Sequence, residues 1–290
     1  NMVIGRITTT GADTGKICVS PSVSTHLIID VMGYYRSGGA FGALTPARLF
    51  DSRPTGATID NLWKAGGVLT PGTVYDMPVT GRGGVAAGSP AVALNVTATQ
   101  AVANGTVSIW PCGIAQTNAI TLSYQAGVNV ADLGVTGLTG GHVCFAATTT
   151  THLVIDVVGA FSAATVYLTP APYRVSDSRA AGATFDGLSK AYGPVAAGST
   201  TKLQVAQRYP KTTVVRTVVL YVTATNPAAG GYLTVYPCGQ AKPNASNLNV
   251  PPGVAMTATV MSAVGDGNAV CIYSSMGTDL IVDFVGDYAY

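Results

Sequence analysis

Charge is scarce in this chain. Asp, Glu, Lys and Arg make up 10% of its 290 residues, against about a quarter in an average domain, and the formal net charge is +2. No block of Lys or Arg occurs, so nucleic acid is not an expected partner, because such binding grows with the number of phosphates neutralised. Long apolar runs are missing too. The mean hydropathy is positive at +0.36, yet no stretch of about 18 uninterrupted apolar residues appears, and no membrane-spanning helix is expected. Histidine occurs three times. There is no HExxH, GxSxG or CxxC, and no repeated set of nucleophile, base and orienting acid. No catalytic residues, no metal site and no cofactor are therefore expected. The apolar content lies in short Val, Ile, Leu and Tyr runs beside Thr, Ser and Gly, the vocabulary of β-sheet.

What the chain has in abundance is repetition. Asp30-Val31-Met32-Gly33, Asp156-Val157-Val158-Gly159 and Asp283-Phe284-Val285-Gly286 recur at steps of 126 and 127 residues. Cys18, Cys144 and Cys271 keep the same step, and Cys112 and Cys238 form a second series. Such periodicity marks a tandem array. It divides the chain into an incomplete repeat over 1–38, supplying the C-terminal part of a unit, and complete units over 41–163 and 164–290. A unit of this length can bury its own core. Each complete unit holds one cysteine pair, Cys112 with Cys144 and Cys238 with Cys271, which reads as one disulfide per unit in an oxidising compartment. Two reduced core cysteines are the alternative. A closed loop of this size contributes about 3–4 kcal/mol in the chain-entropy model. Cys18 is left unpaired, or pairs across units. On this reading the missing strands of the first unit come from upstream sequence or from another chain.

Within the first complete unit, strands are expected near 48–52, 73–79, 91–99, 106–111, 119–123, 131–138, 143–147 and 152–161. Alternation is clearest over 91–99, where Val92, Leu94, Val96 and Ala98 face one way and Asn95 and Thr97 the other. In the second unit Val218, Leu220, Val222 and Ala224 face inward and Tyr221 outward. Period-two patterning with one solvated face is the antiparallel signature. Short strands between Gly, Pro and Asn turns predict an all-β fold of tandem antiparallel sandwiches, jelly-roll-like.

Two sets of residues recur with chemical content. Arg48, Asp51 and Arg53 match Arg174, Asp177 and Arg179, while Asp156 matches Asp283. A carboxylate on a strand between Val154 and Val158 needs a partner, and guanidinium suits a bidentate one. This predicts a structural ion-pair network, with Asp156 in reach of an Arg of its own unit. The competing reading is a repeated calcium site. Trp110, Tyr232 and Tyr236 should lie on the face opposite the core, where exposed rings would stack on sugars or anchor a protein. His26, His142 and His152 do not recur as a set and are expected at the surface.

The opening LTPARLFDSRPTG (44–56), ALNVTAT (93–99), VYPCG (235–239) and the closing THLVIDVVGAF (151–161) resemble a repeat of exported actinobacterial surface and secreted proteins. Such repeats often stand in tandem, beside cell-wall hydrolases or peptidases. The resemblance implies export and a non-catalytic role. Together with the short joints at 36–40 and 162–165, it points to an extracellular structural module of a cell-surface stalk, sheath or filament. Its partners would be neighbouring repeats or copies of the same protein. The alternative is a module that binds cell-wall glycan for a secreted enzyme.

Overall fold

The computed structural model describes residues 41–162, 167–168, 172–208 and 215–289, with scattered positions between 2 and 34. The first complete unit contains eight strands: β1 (Phe41–Asp51), β2 (Tyr75–Pro78), β3 (Ala91–Thr99), β4 (Gly105–Pro111), β5 (Leu122–Tyr124), β6 (Val130–Gly137), β7 (His142–Ala147) and β8 (His152–Phe161). They form two antiparallel sheets, ordered β1-β8-β3-β6 and β2-β7-β4-β5. This alternation of consecutive strands between two sheets is a jelly roll.

The second unit repeats the wiring. Its strands are β9 (Tyr167–Leu168), β10 (Tyr173–Asp177), β11 (Thr200–Gln204), β12 (Val215–Thr225), β13 (Gly231–Pro237), β14 (Leu248–Val250), β15 (Met256–Ala263), β16 (Ala269–Ser274) and β17 (Asp279–Ala289). The sheets are β10-β17-β12-β15, with β9 added on β17, and β11-β16-β13-β14. No helix occurs among the described residues, and none is long and apolar enough to cross a membrane.

The inward positions of β3 (Val92, Leu94, Val96, Ala98) join Val107, Ile109, Phe145 and Ile155 in a continuous core between the two sheets. Val218, Leu220, Val222 and Ala224 do the same in the second unit with Val235, Val260 and Ile272. The strand at 48–52 begins earlier than the pattern implied, at Phe41, because Phe41–Ala43 also pair with β8; a register shift between Ala43 and Ala47 carries the strand past Pro46. The described residues of 1–38 contain no strand.

Candidate functional site

The repeated DSR block builds an ion-pair strut on the β1–β8 and β10–β17 strand pairs. In the first unit Arg48 Nε donates to Asp156 Oδ1 at 2.8 Å, and its Nη1 donates to Asp51 Oδ2 at 3.2 Å. Arg53 grips the same carboxylate, with Nη2 to Asp51 Oδ2 at 2.7 Å and Nε to Oδ1 at 2.9 Å. The second unit copies this with Arg174 to Asp283 (2.8 Å) and Asp177 (3.2 Å), and Arg179 to Asp177 (2.7 Å). Register explains the meeting: Arg48 sits opposite Asp156 and Arg174 opposite Asp283. Asp51 and Asp177 are buried, and each keeps a depressed pKa. For Asp51 the hydrogen bond from Arg53 dominates; for Asp177 burial opposes, and its two arginines prevail. Gly56 closes the turn after the block. A Cβ there would lie 2.5 Å from the Asp51 carbonyl oxygen, so only glycine fits, and Gly182 repeats the constraint. Each Asp of the two struts is held by at least one Arg, as the ion-pair reading expects.

A second repeated ion pair escaped the sequence reading. Arg82 reaches Asp60 at 2.5 Å and also donates to the carbonyls of Leu49 and Pro78. Arg208 does the same with Asp186 at 2.6 Å and the Val175 carbonyl. The signal was the common step of 126 residues, hidden inside Gly-rich loops that carry no strand pattern.

Cys112–Cys144 and Cys238–Cys271 are disulfides, and Cys18 is a free, exposed thiol. Asp76 approaches the first pair, but sulfurs bonded to each other offer no thiolate to a metal.

The aromatic face needs correction. Trp110 points away from the core, as alternation requires, yet it is 1% exposed and packs with the disulfide and Ala146. The chain after β4 turns back over this face, where Ser108 Oγ donates to the Ala119 carbonyl at 2.6 Å. Tyr236 is buried too. Tyr232 is half-buried against Tyr273, at 5.9 Å between centroids. No open platform for a sugar ring is formed by Trp110 and Tyr236. His152 also departs from expectation: it is buried, with Nδ1 at 3.0 Å from Ser52 Oγ, and Asp279 takes its place beside Ser178 in the second unit. His142 is partly exposed and meets Asp76 at 2.6 Å, while His26 is exposed. Two hollows among the described residues measure about 170 and 190 Å³, below the usual range for small-molecule sites.

The densest chemistry lies between the two units. Strand β6 is the edge of its sheet, with one row of backbone groups unpaired within the unit. The second unit caps that row. Tyr221 Oη accepts from Val135 N–H at 3.2 Å and donates to the Val135 carbonyl at 3.1 Å. The Thr259 hydroxyl donates to the Leu133 carbonyl, and Thr259 N–H donates to Asp132 Oδ2 at 2.9 Å. Ser123 Oγ meets Thr257 Oγ1 at 2.7 Å. Ile120 N–H donates to Asp283 Oδ2 at 2.9 Å, and Arg174 reaches the Asn118 carbonyl. Asp283 therefore serves the strut of its own unit and the contact between units. Burial pushes its carboxyl up, opposed by Arg174. Around these bonds Ala93, Leu133 and Val135 share one buried apolar cluster with Val219, Tyr221 and Val285. Asp132 is buried at the margin, and burial pushes it up to about 7 against the amides of Leu133 and Thr259.

No family model matches this sequence, and no curated protein matches it. Among solved structures the chain is similar to the STIV MCP (TM-score 0.30, 6% identity, 77% of this chain and 94% of that one). It is also similar to the tandem CBM22-1-CBM22-2 domains of Paenibacillus barcinonensis Xyn10C (TM-score 0.22, 12% identity, 87% and 100%). A third is YhhW from Escherichia coli (TM-score 0.20, 8% identity, 77% and 95%).

Proposed function

We propose that this chain is a non-catalytic structural repeat module of an extracellular stalk, sheath or filament, in which units pack in tandem. The observation that carries the reading is the contact between the units. The edge of one sandwich is capped by the outer sheet face of the next, through hydrogen bonds between side chains and main-chain groups, a shared carboxylate and a buried apolar cluster. Two repeats joined this way behave as one semi-rigid body rather than as beads on a string. One disulfide per unit suits an oxidising exterior, and the resemblance to exported actinobacterial repeats points the same way. Glycan delivery has lost its carrier, since Trp110 is buried. Immunogold electron microscopy of the source cells tests the proposal. Label is expected along elongated surface structures; label confined to the cell interior, or to dispersed monomers in the medium, would overturn it.

A further inference from the structure

The contact between the units has a donor side and an acceptor side, and the chain carries each of them twice. The donor side is the β5–β6 edge of the first unit with its preceding loop: Asn118, Ile120, Ser123 and Leu133. The acceptor side is the outer face of the second unit: Arg174, Tyr221, Thr257 and Asp283. The 126-residue step places a second acceptor on the first unit and a second donor on the second unit. Their exposure differs from that of the engaged copies. At the engaged acceptor the side chains of Arg174 and Asp283 are 9% and 0% exposed, whereas the matching Arg48 and Asp156 are 38% and 19% exposed. At the engaged donor Ser123 is buried, whereas the matching Asn249 is exposed.

We infer that the outer face around Arg48 and Asp156 is an acceptor for the β14–β15 edge of a second copy of this chain, so that copies add head to tail. The inference rests on the tandem-packing reading and names its partner. Two contacts to the donor backbone, those of the loop before its edge strands, are retained. Asp156 can accept from the amide of Ser246 as Asp283 accepts from Ile120, and Arg48 can donate to the Asn244 carbonyl as Arg174 donates to Asn118. Side-chain capping is reduced, because Asn95 and Leu133 stand where the second unit has Tyr221 and Thr259. The contact between chains is therefore weaker than the one within a chain. It is heterologous, and repeated without closure it yields an open polymer.

Cysteine cross-linking in a Cys18→Ser background tests this. Ser123 and Thr257 bring their hydroxyl oxygens to 2.7 Å, so Ser123→Cys with Thr257→Cys should close inside one chain. The equivalent pair between copies is Ala131→Cys with Asn249→Cys. On mild oxidation this double variant is expected to give a ladder of dimers, trimers and higher species on non-reducing gels, reversed by thiol. Closure of the internal pair beside a double variant that stays monomeric would overturn the inference alone. Failure of the internal pair to close would overturn the tandem contact itself, and with it the proposed function. Efficient cross-linking of Ala131→Cys or Asn249→Cys alone would indicate a symmetric dimer and overturn the head-to-tail geometry. Sedimentation velocity of the Cys18→Ser chain, free of introduced cysteines, gives an independent reading: a sedimentation coefficient that rises with concentration supports association, and a constant one refutes it.

Discussion

Replacing Tyr221 by Phe removes a single oxygen at the centre of the contact between the units. Its hydroxyl accepts from the amide and donates to the carbonyl of Val135, and the ring is fully buried. Burial raises the phenol's pKa above its usual range, so it stays neutral and keeps both roles. Without it, an N–H and a C=O of edge strand β6 are buried unpaired, at about 1–3 kcal/mol each. Partial access of water to the sheet edge lowers the sum, and about 2–4 kcal/mol is a reasonable total. The loss falls on the contact, since the inward face of β12 (Val218, Leu220, Val222) is unchanged. Hydrogen exchange followed by NMR reads this locally. When opening limits exchange thermodynamically, the Val135 amide should exchange roughly 30- to 1,000-fold faster. Core amides of β3 and β12 should be nearly unchanged. A Val135 rate within about threefold of the parent would refute the reasoning, because the amide would then be protected by something other than Tyr221.

Converting Cys112 and Cys144 together to Ala should cost the first unit about 3–4 kcal/mol, given the 32-residue separation. A lower urea midpoint by Trp fluorescence checks this, because both tryptophans, Trp63 and Trp110, lie in the first unit. Asp132 gives a pH signature. Its carboxyl is held at about 7 when folded against 3.8 when free, so folding binds a proton between these values. The stability it permits is present below about pH 4 and declines up to about pH 7, at a cost on the order of a few kcal/mol. Denaturant titrations of the parent and Asp132→Asn chains should show this slope only in the parent; equal slopes refute it. Asp60 acts in the opposite sense: Arg82 holds it at about 2, so its stabilising pair is present above about pH 4 and lost as the pH falls through 2. Asp60→Asn should remove that part of the acid transition, seen by circular dichroism.

How much was legible in the sequence depended on whether a property follows from the strand itself. Alternation over 91–99 placed Val92, Leu94, Val96 and Ala98 in the core because cross-strand period two is a backbone property. The pairing of Arg48 with Asp156 was legible because both recur and one buried carboxylate demands a cation. The fate of Trp110 was not. Periodicity gives the face a ring points to, but not the loop that returns over it. The Arg82–Asp60 pair was hidden because its members sit in irregular turns. The contact through Tyr221 and Val135 lay furthest from reach, since it depends on how two finished sandwiches meet. The sequence registered it only as a discrepancy, Tyr221 where the first unit has Asn95.

The capping of β6 by side chains of the next unit also bears on synthesis. Domains fold as they emerge, N-terminal first. On a chain delivered to the exterior N-terminus first, the first sandwich would therefore be complete, with its edge and the Asn118–Ile120 loop in place, before β12 to β17 arrive. When the outer face carrying Val219, Tyr221 and Val285 forms, its cover is already waiting. The open β6 edge, a standing invitation to mispair with another unfinished chain, would then stay uncovered only until the next repeat is delivered. The order in which the repeats are made thus works as a built-in chaperone.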